Sequence, residues 1–158
     1  KDLTIIRLPE IPDFTLLVGW TGQVAITDSL IQATEKKRKV ETDSAFYKEF
    51  LAKSHAVVQG LQTAWNQQDI PALQEGIRSN RALLNEFAQV MQLEIETPAL
   101  QTLCDLAEQN GACAKTSGAG GGDCGICFTQ NETQRQQIET EWAKAQIQVL
   151  PLSIAEAW

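Results

Sequence analysis

Residues 114–126 read AKTSGAGGGDCGI, and the fold assignment turns on this stretch. Gly118, Gly120, Gly121 and Gly122 fall within five positions. Glycine loses more backbone entropy on folding than other residues and packs no side chain, so this density needs a cause. A backbone held at positive φ, or one that approaches a ligand closely, supplies it. Successive N–H groups in such a loop point into one concavity and can hold an anion. Lys115 adds a point charge beside the glycines and Ser117 a hydroxyl.

Two common nucleotide-binding patterns fail on order. A Walker A loop places its lysine after the glycines and opens a helix. Here Lys115-Thr116 come first, and residues 124–129 (CGICFT) read as a strand. The dinucleotide fingerprint also opens a helix, whereas Gly118-x-Gly120-x-Gly122 leads into that strand. With a helix ahead of it, the stretch reads as a helix–loop–strand anion cradle. A purely structural glycine turn is the alternative.

Upstream, the helix over 97–109 opens on Thr97-Pro98, a cap followed by a first-turn proline, and closes on Asn110-Gly111. Its buried side is Leu100, Leu103, Cys104 and Ala107. Asp69-Ile70-Pro71 starts the preceding helix, whose stripe runs Leu73, Ile77, Asn80, Leu84, Phe87 and Met91. A long helix from Thr42-Asp43 to about residue 66 carries Phe46, Phe50, Val57, Leu61 and Trp65 on one side. Before it, Thr27 or Asp28 caps a helix over 29–40 that ends in the basic run at 36–39. Residues 3–8 and 14–20 read as a strand hairpin, the second strand alternating Phe14, Leu16, Val18 and Trp20. Downstream, Asn131-x-x-Gln134 caps a helix that buries Ile138, Trp142 and Ala145, and residues 146–152 form the last strand. The order of strands and helices predicts an α+β domain, with helices on one face of a short sheet.

At 158 residues, 43% apolar and 21% charged, the chain fits one globular domain spanning 1–158. A net charge of −7 argues against nucleic acid and anionic lipid as partners. No apolar run approaches the ~20 residues that span a bilayer. Residues 1–9 are too short for a signal peptide, and a cytoplasmic location is expected. The chain opens without methionine on a strand already under way, which implies a piece of something longer. Cys104, Cys113, Cys124 and Cys127 read as reduced thiols, because a strand turns residues 124 and 127 to opposite faces. His55 is the sole histidine and lies off the apolar stripe, so no metal site is expected.

The residues 114–126 also resemble the third signature motif of the GHMP kinases, which include galactokinase, homoserine kinase, mevalonate kinase and phosphomevalonate kinase. The Lys-x-Ser-Gly-Ala-Gly-Gly-Gly-Asp-Cys-Gly form is most similar to the bacterial phosphomevalonate kinase branch. Mevalonate kinases match less well at Asp-Cys. Residues 17–22 (LVGWTG) resemble the strand and turn that open the family's C-terminal domain, and 95–100 (IETPAL) the helix leading into the motif. Asn80-Arg81-x-Leu83-Leu84 is similar to the helix before that.

This resemblance implies a ferredoxin-like α+β domain, an antiparallel sheet with helices packed on it. It implies transfer of a phosphoryl group from ATP, with Mg²⁺, to 5-phosphomevalonate in the mevalonate route to isoprenoids. ATP and Mg²⁺ would be bound mainly by an N-terminal domain that these residues do not contain, so this chain alone is expected not to turn over. The resemblance places Ser117 and Ala119 at the substrate phosphate and the transferred group, and matches Thr27 to a hydroxyl that contacts substrate. Gly118, Gly120, Gly121 and Gly122 complete the phosphate loop. Lys115 becomes a phosphate partner, with a plain surface lysine as the alternative. Asp123 is expected to brace the loop through its backbone rather than ligate Mg²⁺. No catalytic residue is assigned within the chain. Mevalonate kinase, diphosphomevalonate decarboxylase and a noncatalytic anion-binding module of the same fold are the competing readings.

Overall fold

The computed structural model describes residues 8–11, 14–23, 45–118 and 120–152. The strand expected at 3–8, the helix at 29–40, and the candidate site residues Thr27 and Ala119 lie outside these described residues. Among the described residues the order is β1 (Thr15–Trp20), α1 (Ala45–Gln67), α2 (Ile70–Met91) and α3 (Pro98–Gln109). Then come β2 (Cys113–Thr116), β3 (Cys124–Thr129), α4 (Glu132–Lys144) and β4 (Gln148–Leu150).

The caps read from the sequence start three of these helices. Asp69 accepts the Ala72 N–H (3.0 Å), Thr97 that of Leu100 (3.4 Å) and Asn131 that of Gln134 (2.9 Å). Each satisfies a backbone donor that the first turn leaves unpaired, an arrangement worth about 1 kcal/mol. Pro71 and Pro98 occupy first-turn positions where no N–H is needed.

The sheet runs β2-β3-β1-β4 with every pair antiparallel. With α3 and α4 as its two crossovers this is the βαββαβ arrangement of ferredoxin-like domains, into which α1 and α2 are inserted ahead of α3. The expected α+β class therefore stands. Three details differ. Residues 113–116 form strand β2, so the glycine stretch joins two strands of a hairpin and is not a helix–loop–strand junction. Four residues between a helix-ending glycine and the loop carry too short a pattern to read; pairing with β3 is what makes them a strand. The last strand spans three residues, Gln148–Leu150, not seven. Helices also reach both faces of the sheet.

On the first face Leu17, Ala114 and Cys127 pack against Leu103, Cys104 and Ala107 of α3 and Ile138 and Trp142 of α4. Gly19 and Gly125 stand opposite one another across β1 and β3. A Cβ on Gly19 would lie 2.8 Å from both Leu103 and Trp142, and one on Gly125 2.6 Å from Leu103. The paired glycines thus leave a trough that admits these two large side chains, and the Trp142 indole N–H donates to the Leu103 carbonyl (3.0 Å). On the second face Phe14 and Cys113 pack with Ala64 of α1 and Leu73 and Ile77 of α2. Phe14 stacks on Phe128 at 4.8 Å. The reason is in β3 itself: CGICFT is apolar at both parities, so neither face can be left to water. A third cluster of Phe87, Ala88, Met91 and Ile95, flanked by Phe46 and Phe50, holds the segment that leaves α2.

Candidate functional site

Residues 117–123 connect β2 to β3. Gly118, Gly120, Gly121 and Gly122 have φ of +69°, +77°, +80° and +134°, and Asp123 follows at +50°. The sequence puts glycine where an L side chain would be strained. The one exception, Asp123, is among the few residue types that tolerate left-handed backbone. The glycines adopt these angles without steric cost, so only Asp123 carries backbone strain, held there by the contacts around it.

Those contacts come from three sides. The Ser117 N–H donates to the Cys124 carbonyl (2.9 Å), extending the β2–β3 ladder to the loop's neck. The Gly121 N–H donates to the Ile95 carbonyl (2.8 Å), in the segment between α2 and α3. Asp123 is held by the turn after β1: its N–H donates to Gln23 (2.6 Å), and its carbonyl accepts from the Thr21 N–H (2.8 Å) and hydroxyl (3.0 Å). Asp123 thus braces the loop through its backbone. Gly120 is buried against the same Ile95: a Cβ there would lie 2.3 Å from the Ile95 carbonyl oxygen. Gly122 is buried as well, Ser117 and Gly121 are half-buried, and Gly118 and Asp123 are exposed. The result is a loop with a fixed base and an open rim.

Lys115 lies on β2 opposite Ile126, two residues before the loop. Its ammonium donates to the Thr116 carbonyl (2.6 Å). It lines an apolar groove of about 530 Å³ with Asn80, Trp65, Ile77, Ile126 and Phe128. Burial in that groove pulls its pKa below the ordinary lysine value. The structure therefore brings Ser117, Gly118 and residues 120–123 onto one loop, and sets Lys115 on the adjoining strand within the groove.

The cysteines serve packing. Cys104, Cys113 and Cys127 are free and buried, and Cys124 is free and half-exposed beside Asp123. Burial pushes the thiols of Cys104 and Cys113 up to about 12 and that of Cys127 higher still, so none is a ready thiolate. Among the described residues no three His, Cys, Asp or Glu side chains gather to hold a metal ion. No helix among them is long and apolar enough to cross a membrane.

The residues that seat the loop were not assigned a role from the sequence. Thr21, Gln23 and Ile95 act largely through backbone groups, which leave no side-chain signature. The two visible hints are the family resemblances of residues 17–22 and 95–100, which contain Thr21 and Ile95.

Comparison with known proteins places these features in a family. Residues 58–148 match the C-terminal domain of the GHMP kinases. The chain is 38% identical over 154 residues to phosphomevalonate kinase from Streptomyces sp. (strain CL190), covering 96% of the chain and 41% of that protein. It superposes on the Lin0012 protein of Listeria innocua with a TM-score of 0.85 at 34% identity, covering 91% of the chain and 40% of that one. It matches Streptococcus pneumoniae phosphomevalonate kinase, solved in complex with phosphomevalonate and AMPPNP, with a TM-score of 0.75 at 30% identity. That match covers 87% of the chain and 38% of the S. pneumoniae protein. The chain thus spans about two-fifths of the length of the relatives it matches.

Proposed function

We propose that this chain, which belongs to the GHMP kinases and carries their C-terminal domain, is the acceptor-side part of a phosphomevalonate kinase. In this reading residues 1–158 form a single domain that works with an N-terminal, ATP-binding domain of the same enzyme, in the cytoplasm. The carrying observation is the loop at 117–123: four left-handed glycines and an aspartate, seated on Ile95 and braced by Thr21 and Gln23. Similarity to two phosphomevalonate kinases at 38% and 30% identity supports the choice of acceptor.

The reaction moves the γ-phosphoryl group of ATP. The bond from the γ-phosphorus to the β–γ bridging oxygen breaks, and a bond to an oxygen of the acceptor's phosphate forms. ADP and the diphosphate leave. The attacking oxygen is already anionic, so proton abstraction is less needed than with an alcohol acceptor. Two polyanions must instead be held in line, and positioning and charge neutralisation dominate. The Ser117 hydroxyl and the amides of Gly118 and Ala119 are the donors we assign to the acceptor's phosphate, with the buried Gly120 and Gly122 forming the base of the loop. Gly121 shapes the loop, its amide being engaged by Ile95. Thr27 contributes a hydroxyl to the substrate. Lys115, a cation partly stripped of water, gains from an anion brought near it. Mg²⁺ travels with ATP and, on the family resemblance, is assigned to the other domain.

Acceptor choice tests this. The full-length protein should phosphorylate 5-phosphomevalonate with kcat/KM at least about 10²-fold above that for mevalonate, since an acceptor lacking the phosphate leaves the loop's donors unpaired. Equal or greater use of mevalonate would reassign the chain within the family.

A further inference from the structure

The phosphate loop rests on Ile95, which packs with Phe87, Ala88 and Met91 and is followed by a buried, hydrogen-bonded carboxylate. The Glu96 side chain is 7% exposed. Its Oε2 accepts from Arg81 Nε (2.9 Å) and Asn85 Nδ2 (3.1 Å), and its Oε1 from Arg81 Nη2. Arg81 Nη2 also donates to Asp105 of α3 (2.8 Å). Hydrogen bonding to Glu96, opposed by burial and reinforced by Asp105, holds the guanidinium firmly charged. The next residue, Thr97, caps α3. Three consecutive residues therefore join three parts of the molecule: the Ile95 carbonyl to the loop, the Glu96 carboxylate to α2, and the Thr97 hydroxyl to α3.

We infer that Glu96, clamped by Arg81 and Asn85, is a positioning residue for the phosphate loop. It holds the Ile95 carbonyl where it takes the Gly121 N–H and seats Gly120, so that the remaining amides keep their aim. A fork-on-carboxylate contact is well suited to this, because two parallel hydrogen bonds fix orientation as well as distance. The enzymatic consequence rests on the phosphomevalonate kinase reading; the mechanical one does not.

A second α2–α3 ion pair provides the control. Arg78 Nε donates to Glu108 (2.7 Å) and its Nη2 to the Ala112 carbonyl (3.1 Å), with no link to Ile95. Glu96→Gln and Glu108→Gln, each nearly isosteric, should be compared in the full-length protein. For Glu96→Gln, hydrogen exchange at the Gly121 amide should accelerate at least about tenfold, as a locally opened bond does. At saturating ATP, kcat/KM for 5-phosphomevalonate should fall by about 10- to 100-fold, the scale of loss from a slightly misplaced site. KM for ATP should stay within about twofold, because the clamp acts on the acceptor loop alone. Glu108→Gln should leave exchange at Gly121 and both kinetic constants near wild type, whatever it does to Tm. Unchanged exchange in Glu96→Gln would overturn the inference. So would equal acceleration in both variants, which would make Glu96 merely one more stabilising contact. If the wild-type protein does not use 5-phosphomevalonate, the kinase reading fails, while the exchange comparison still decides the role of Glu96.

Discussion

Gly120→Ala in the full-length protein is expected to lower kcat/KM by about 10²-fold or more, because the loop must leave its seat. The new Cβ would lie 2.3 Å from the Ile95 carbonyl oxygen and 2.7 Å from its Cγ2. The obstacle is backbone, which a rotamer change cannot move. Residue 120 is also left-handed, at φ +77°, which costs an L-residue about 1–2 kcal/mol by itself. Gly118→Ala separates the two effects. Gly118 has nearly the same φ, +69°, but nothing lies within 4 Å of its virtual Cβ. Gly118→Ala should therefore show the conformational cost alone and a much smaller kinetic defect. Steady-state kinetics with ATP and 5-phosphomevalonate, alongside thermal melts, separate the pair. Wild-type kinetics in Gly120→Ala would mean that the contact with Ile95 does not shape the site.

Trp142→Ala should destabilise the domain by about 3–5 kcal/mol, as removal of a buried tryptophan does. Against a total stability of about 5–15 kcal/mol, that is a large fraction, and at the low end of the range it leaves almost none. Trp142 is fully buried, fills the trough at Gly19, and donates its indole N–H to the Leu103 carbonyl. Truncation opens a cavity and strands that carbonyl contact together. The loss reaches function as well as fold, because Leu103 and Trp142 press α3 and α4 onto the two central strands, β1 and β3, that anchor the loop. Urea unfolding of the chain measures it. A midpoint unchanged from wild type would show that this face of the sheet contributes less than its packing implies.

How far the sequence could be read depends on where each feature's information lies. Helix starts were legible because Asp69, Thr97 and Asn131 carry the capping chemistry in single side chains. The buried side of α3, Leu100, Leu103, Cys104 and Ala107, was legible from spacing, and all four are buried. β2 was not legible, since its four residues become a strand only by pairing with β3. The second covered face was half visible. Phe14 and Phe128 stack there, while the alternate residues Leu17 and Cys127 fill the first face. Glycine density marked the loop, but its seat on Ile95 and its braces at Thr21 and Gln23 are long-range backbone bonds that no local pattern encodes. The Glu96–Arg81 clamp is similarly hidden: the partners sit on different elements, and nothing in their spacing distinguishes them from the Arg78–Glu108 pair nearby.

The central claim is that residues 117–123 receive the phosphate of the acceptor. Selective ¹⁵N-glycine labelling of the full-length protein observes this directly, since the loop supplies four of the ten glycines in these 158 residues. Addition of 5-phosphomevalonate should shift the amide signals of Gly118, Gly120 and Gly122 and leave Gly60 and Gly76 on α1 and α2 in place. Shifts confined to glycines outside 117–123, with all four loop signals unmoved at saturation, would contradict the account.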